Sequence, residues 1–145
     1  MSQGPETTFI NSVHRHLPAD FYRMKNHNQY NGGIADCWYS GASGDLWAEY
    51  KFLSLPKRQN TLISLVDGKN PPLSRLQQQW LCDRKKEGRS VFVIVGTKNG
   101  GVIFTSPEEW AASFTAQQFT ALLMDRKAIA GRIFEFCTEE VICGP

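Results

Sequence analysis

Three charged residues, Asp36, Glu49 and Lys51, interrupt two short apolar runs in the stretch "GIADCWYSGASGDLWAEYK", residues 33–51. The runs carry Trp and Tyr and flank a turn with two glycines, which predicts a β-hairpin. Its strands should run from about Ile34 to Ser40 and from about Asp45 to Leu53. A tight turn on Ala42 and Ser43 pairs Ser40 with Asp45, Trp38 with Trp47 and Asp36 with Glu49. Directly opposed residues share a face, with Cβ atoms about 5 Å apart. Lys51, two residues beyond Glu49, emerges on that face as well. An odd-length turn would slip the register and separate the three.

In that register two carboxylates confront each other, which costs stability unless something positive sits between them. A divalent cation removes the penalty. Magnesium is held by one or two carboxylates, with waters and phosphate oxygens completing its octahedron. A lysine on the same face can stabilise charge developing on a phosphate or help activate the attacking water. Together the three side chains point to metal-dependent cleavage of phosphodiester bonds. Alone, a Glu-x-Lys pair on an exposed strand is common solvated surface.

Positioning these residues requires a sheet and helices packed on it. Pro5 to about His16 reads as a first helix, with Phe9, Ile10, Val13 and Leu17 at helical spacing and Pro18 helping to end it. Glu6 falls on the stripe of Ile10, Val13 and Leu17, from which it could reach a sheet edge. Its plainer role is to complement the helix N-terminus. A polar connection follows, up to the hairpin. After the hairpin, residues 54–72 form a long connection in which "TLISLV" is either a short strand or a piece that packs down. Ser74 to about Glu87 reads as a second helix, with Leu76, Trp80 and Leu81 on one side and Gly88 stopping it. Trp80 reads as core rather than as a base-stacking platform.

"SVFVIVG" is the most hydrophobic strand and belongs in the middle of the sheet. "TKNGG" is a turn and "VIFTS" a further strand. Ser106 can cap a helix opened by Pro107, Thr115 and Gln118 have capping-box spacing, and a last helix spans about Lys127 to Phe136. The order predicts an α/β sandwich around a small mixed sheet.

Composition narrows the class. A chain of 145 residues, 41% hydrophobic and 21% charged, suits one core and argues against disorder along its length. No run reaches the roughly 18 apolar residues of a membrane span. The start "MSQGPETTF" lacks the layout of a signal peptide. An intracellular, cytoplasmic protein is therefore expected. Its four cysteines form no CxxC pair and read as reduced thiols, with Cys37 buried in a strand. His14, His16 and His27 are not grouped with them as zinc ligands would be.

Gly33-Ile34-Ala35-Asp36, a hairpin and then Glu49-Tyr50-Lys51 resemble the PD-(D/E)XK nuclease superfamily. The likeness is strongest to its virus-type replication-repair nuclease (VRR-Nuc) group, which is related to Holliday junction resolvases. That group follows the Glu-x-Lys strand with a Leu-Ser-x-x-Gln helix, a glycine and an apolar strand. Here these parts are Leu73-Ser74-Arg75-Leu76-Gln77, Gly88 and "SVFVIVG". Ala35 replaces the usual proline, and the connection after Phe52 is longer than the pattern.

The resemblance implies a restriction-endonuclease-like α/β sandwich with a small mixed central sheet flanked by helices. It covers about residues 5–105 of a single domain, with a C-terminal helical extension over about 106–145. It further implies that Asp36, Glu49 and the Tyr50 carbonyl hold one or two Mg²⁺ or Mn²⁺ ions. Lys51 would act on the water and the transition state, Gln77 would support the site, and Glu6 would match a first-helix glutamate. Gln77 equally completes a capping box with Ser74.

The implied activity is that of a DNA endonuclease selective for structure rather than sequence, acting in replication, recombination or repair. Its partner is duplex or branched DNA. A homodimer is expected by analogy with members that cut both strands of a junction, and the compact form suits a phage or mobile element. Arg23, Lys25, Lys57, Arg58, Arg84, Lys85, Lys86 and Arg89 are the candidate phosphate contacts, with Lys98 on a turn. The competing reading is a nuclease-like scaffold without catalysis that binds nucleic acid or protein. An RNA-cleaving enzyme would use the same site.

Overall fold

The computed structural model describes residues 4–26 and 33–139. Part of the polar connection with His27, and the end of the chain with Cys143, lie outside the described residues. The elements run α1 (Pro5–His14), β1 (Tyr22–Lys25), β2 (Cys37–Gly41), β3 (Gly44–Phe52), β4 (Leu62–Ile63), α2 (Arg75–Lys86), β5 (Val91–Thr97), β6 (Gly100–Phe104), α3 (Pro107–Trp110), β7 (Phe114–Thr115), α4 (Ala116–Ala121) and α5 (Arg126–Thr138).

Five strands form one mixed sheet in the order β1-β2-β3-β5-β6. Only the β3–β5 pair is parallel, because α2 lies in the crossover between them. This is the expected restriction-endonuclease-like architecture, a small mixed sheet flanked by helices. Alternation divides its side chains between two layers. Leu46, Ala48, Tyr50, Phe92 and Ile94 pack with Phe9, Ile10 and Val13 of α1 and Ile129 and Ile133 of α5. Val91, Val93 and Val95 pack on the other side with Leu73, Leu81, Phe104, Trp110 and Phe119. β5 is buried along its whole length, as a strand covered on both faces must be.

Ser74, Ser106 and Thr115 each accept a hydrogen bond from the third residue of the helix they open, and Asp125 caps α5 in the same way. The "TLISLV" piece forms β4 and pairs with β7, while Ile63, Leu65 and Leu73 are buried. Cys37 is fully buried in β2.

Three expectations need correcting. The polar connection before the hairpin contains β1, an edge strand paired with β2. It reads as polar because Arg23 and Lys25 alternate with Tyr22 and Met24. Both basic side chains are tied to α1 or the turn after it: Arg23 donates to the carbonyls of His14 and Pro18, and Lys25 to Asn11. Secondly, Leu76 does not share the inward side of α2 with Leu81; it is 66% exposed, whereas Leu81 is buried and Trp80 half-buried. Thirdly, β2 begins at Cys37 rather than Ile34, for a reason that belongs to the site.

α5 docks on the hairpin turn. The Ser43 amide donates to the Cys137 carbonyl at 2.8 Å, and a Cβ on Gly41 would come within 2.5 Å of that oxygen. Beneath the hairpin a chain of hydrogen bonds, part-buried at its α1 end, joins α1 to the sheet. His14 Nε2 meets the Tyr39 hydroxyl at 2.7 Å, which meets the Tyr50 hydroxyl at 2.6 Å. Burial, with the charges of Arg23 and Lys25 nearby, lowers His14 to about 4.

Candidate active site

The even-length turn holds the expected register. Ser40 pairs with Asp45 and Trp38 with Trp47, and the ladder ends at Cys37 opposite Ala48. Asp36, the next residue, leaves the ladder. Its Oδ2 accepts the Tyr50 amide at 2.8 Å, so a side chain satisfies a strand donor that lies beyond the ladder's last pair. The Asp36 carbonyl accepts from the Asn26 amide. The carboxylate is thereby held against the backbone between Glu49 and Lys51.

Glu49 and Lys51 alternate with inward-facing Ala48 and Tyr50, so both point to the α2 side of the sheet. Glu49 is only 1% exposed. Its Oε1 accepts from Gln77 Nε2 at 2.9 Å and lies 3.5 Å from Lys51 Nζ. Its Oε2 is buried with no donor to it from the protein, and the Asp36 carboxylate lies within hydrogen-bonding reach of Glu49.

Gln77 fills both of its expected roles. Its Oε1 accepts the Ser74 amide, completing the capping box, which leaves Nε2 to face Glu49. The cap therefore sets the orientation of the amide at the site. Gly33 joins the loop before Asp36 to the same helix end. Its φ is +95°, and a Cβ there would stand 2.7 Å from the Leu76 carbonyl oxygen.

The cluster is short of positive charge. Burial first, then the charge of Asp36, raises Glu49 to about 9, with Lys51 opposing. Asp36 is raised mainly by burial, against the lowering effect of the Tyr50 amide. Glu6 is raised to about 7 by burial and then by Asp36, again with Lys51 opposing. α1 thus places Glu6 in the field of the other three charges.

These features fit a hard divalent cation. Two oxygen-donor side chains share one small volume, and a buried carboxylate oxygen has no donor to it from the protein. Among the described residues, no three His, Cys, Asp or Glu side chains could hold a metal ion by themselves. Backbone oxygen, water and substrate phosphate would have to supply the other positions, as they commonly do for Mg²⁺.

The candidate phosphate contacts are dispersed. Arg23 and Lys25 face α1, on the opposite side of the sheet from Glu49. Lys57 and Arg58 are exposed in the connection after β3. Arg84 pairs with Glu87 at 3.0 Å, and Lys85 donates to the Thr105 carbonyl. Lys86 and Arg89 are exposed near the C-terminal end of α2, and Lys98 is exposed on its turn. Lys86 is roughly 14 Å along the helix from Gln77. The sequence places Trp80 in the core and leaves Trp38 and Trp47 without a role, whereas the three rings form one row beside Glu49, with Trp80 only half-buried. The row's signal was present in Trp38 and Trp47, directly opposed, and in Trp80, one helical turn beyond Gln77.

The fold is similar to that in a solved structure of Archaeoglobus fulgidus Hjc, a Holliday junction resolvase from an archaeal hyperthermophile. The TM-score is 0.53 at 15% sequence identity, covering 88% of this chain and 97% of that one. No protein-family model matches the chain, and no curated protein matches it in sequence. Among the described residues, no helix is long and apolar enough to cross a membrane.

Proposed function

We propose that this protein is a metal-dependent endonuclease of the PD-(D/E)XK type, related to the VRR-Nuc group, that hydrolyses phosphodiester bonds in branched or otherwise distorted DNA. The observation that carries the reading is the buried Glu49 carboxylate. It is flanked by Asp36, Lys51 and Gln77, and one of its oxygens has no donor to it from the protein. A structural carboxylate buried this way costs stability, and a hydrophobic residue would serve the sheet better. The fold-level likeness to a Holliday junction resolvase supports the substrate class.

Asp36, Glu49 and the Tyr50 carbonyl hold the cation in this reading. When bound, Mg²⁺ or Mn²⁺ polarises the phosphate and lowers the pKa of coordinated water. The Tyr50 amide fixes Asp36, and Gln77 fixes Glu49, so neither carboxylate has to reorganise on binding. Lys51, 15% exposed with its Nζ 3.5 Å from Glu49 Oε1, would stabilise charge developing on the phosphate. Exposed Lys57, Arg58, Lys86 and Arg89 contact the DNA backbone and give salt-dependent, sequence-independent affinity.

The test is cleavage of labelled supercoiled plasmid, linear duplex, flap and four-way junction, each with Mg²⁺, Mn²⁺ or EDTA. Metal-dependent cutting of the branched DNAs, absent in Glu49→Gln, is the expected result. Folded protein that cuts no DNA with either metal would overturn the proposal in favour of a binding module.

A further inference from the structure

Tyr22, Trp38, Trp47 and Trp80 form a continuous row of rings on the sheet face that carries Glu49. Tyr22 meets Trp38 edge-on at 5.3 Å, Trp38 stacks on Trp47 at 6.0 Å and 27°, and Trp47 meets Trp80 edge-on at 5.3 Å. The Arg84 guanidinium lies over Trp80 at 5.4 Å. Trp47 and Trp80 flank the second core, whereas Trp38 and Tyr22 belong to neither core, and Tyr22 is 54% exposed. The row therefore runs out of the interior to solvent. The three tryptophans line an open cavity of about 920 Å³ together with Arg84, Arg89 and Ser43.

The place of this row gives it meaning. Trp47 precedes Glu49 by two residues on the same face of β3, about 7 Å away. Trp80 follows Gln77 by one turn of α2. The rings thus begin where the candidate active site ends. A second groove shares Arg89, Ser90 and Phe136 with the first and adds Lys85 and Arg132. Three carboxylates also line the first cavity: Glu87 pairs with Arg84, Asp45 accepts from the Ser40 hydroxyl, and Glu139 follows the end of α5.

We infer that this row is a stacking platform for unpaired nucleotides of the DNA strand that flanks the scissile phosphate. Flat rings interleaved with guanidinium groups bind single strands without sequence preference, because every base has a π-face. Bases inside a duplex are already stacked and cannot use them. The substrate class is then DNA with a single-stranded segment adjoining the cut, such as a flap or splayed arm. The inference rests on the proposed nuclease reading only for the position of the cut.

The test reads binding in EDTA, so it does not need cleavage. Fluorescently labelled oligo(dT) of about 15 nucleotides, near the site size of single-strand binders, is titrated against a blunt duplex of equal length. Oligo(dT) should quench the tryptophan fluorescence. Trp38→Leu should weaken its binding about 5- to 100-fold, the scale of one lost base stack. Trp38→Phe should restore most of that affinity, and duplex binding should change little in either variant. Equal binding of oligo(dT) by wild type and a folded Trp38→Leu would overturn the inference, as would equal loss for duplex and single strand, or no quenching. Cleavage of flaps without a Trp38 effect would sink this inference and leave the nuclease reading standing. A Trp38-dependent single-strand affinity in a protein that cuts nothing would do the reverse.

Discussion

The amide of Gln77 holds Glu49 with its nitrogen, at 2.9 Å, while its oxygen closes the N-terminal cap of α2. One side chain thus couples the start of a helix to a buried carboxylate on the neighbouring strand. When the cap is closed, the amide nitrogen is turned to donate to Glu49.

That coupling can be separated by mutation. Ser74→Ala removes a hydroxyl cap and should cost about 1 kcal/mol of stability, while leaving the Gln77 nitrogen near Glu49. Gln77→Ala should cost a similar amount and also lower cleavage about 10- to 100-fold, since Glu49 loses its orienting donor. Thermal unfolding and single-turnover cleavage measured on both variants check this. Equal cleavage losses in the two would show that Gln77 serves the helix alone.

Glu49 makes the cation-free protein sensitive to alkali. Its folded value of about 9 stands above the ordinary 4.5. Between these values the folded chain binds a proton that the unfolded chain releases, so stability is greatest below the lower value, falls as pH rises from the lower value to the upper one, and levels off above it. Glu49→Gln keeps the shape and removes the titration. At about pH 8 in EDTA it should unfold roughly 1–3 kcal/mol harder than wild type, the cost of a buried unsatisfied group. At about pH 5 the difference should nearly vanish. Melting curves at the two pH values report it, and a variant less stable at the higher pH would contradict the burial argument.

Cation binding should expel that proton. At about pH 7.5, Mn²⁺ should release roughly one proton per chain, because a ligating carboxylate must be ionised. Affinity should therefore weaken as pH falls from 9. Calorimetry in two buffers of different ionisation enthalpy measures the proton count directly. Binding without proton release would place the cation away from Glu49.

Much of this site was legible in the sequence because it depends on local rules. The two-residue turn at Ala42 and Ser43 fixed a register that kept Trp38 opposite Trp47, and the capping signals at Ser74, Ser106 and Thr115 mark real helix starts. What escaped depends on partners distant in sequence. β1 was hidden because Arg23 and Lys25 are satisfied by α1, so a strand looked like a polar connection. Asp36 was expected to pair across from Glu49, but the free Tyr50 amide captured its carboxylate. The aromatic row spans two neighbouring strands of the hairpin, an edge strand and a helix, and no single stretch of sequence displays it.

The most direct test of the central claim is single-turnover cleavage of a labelled four-way or flap DNA by wild type and Lys51→Met in Mg²⁺. The substitution keeps the length of the side chain and removes its charge, and the affinity for the same DNA is measured in EDTA. The account predicts a rate loss of about 100- to 1,000-fold, the scale of one lost transition-state contact, with binding changed by no more than about 3-fold. A Lys51→Met enzyme that cuts at the wild-type rate would contradict it, because the charge beside Glu49 would then have no part in the chemistry.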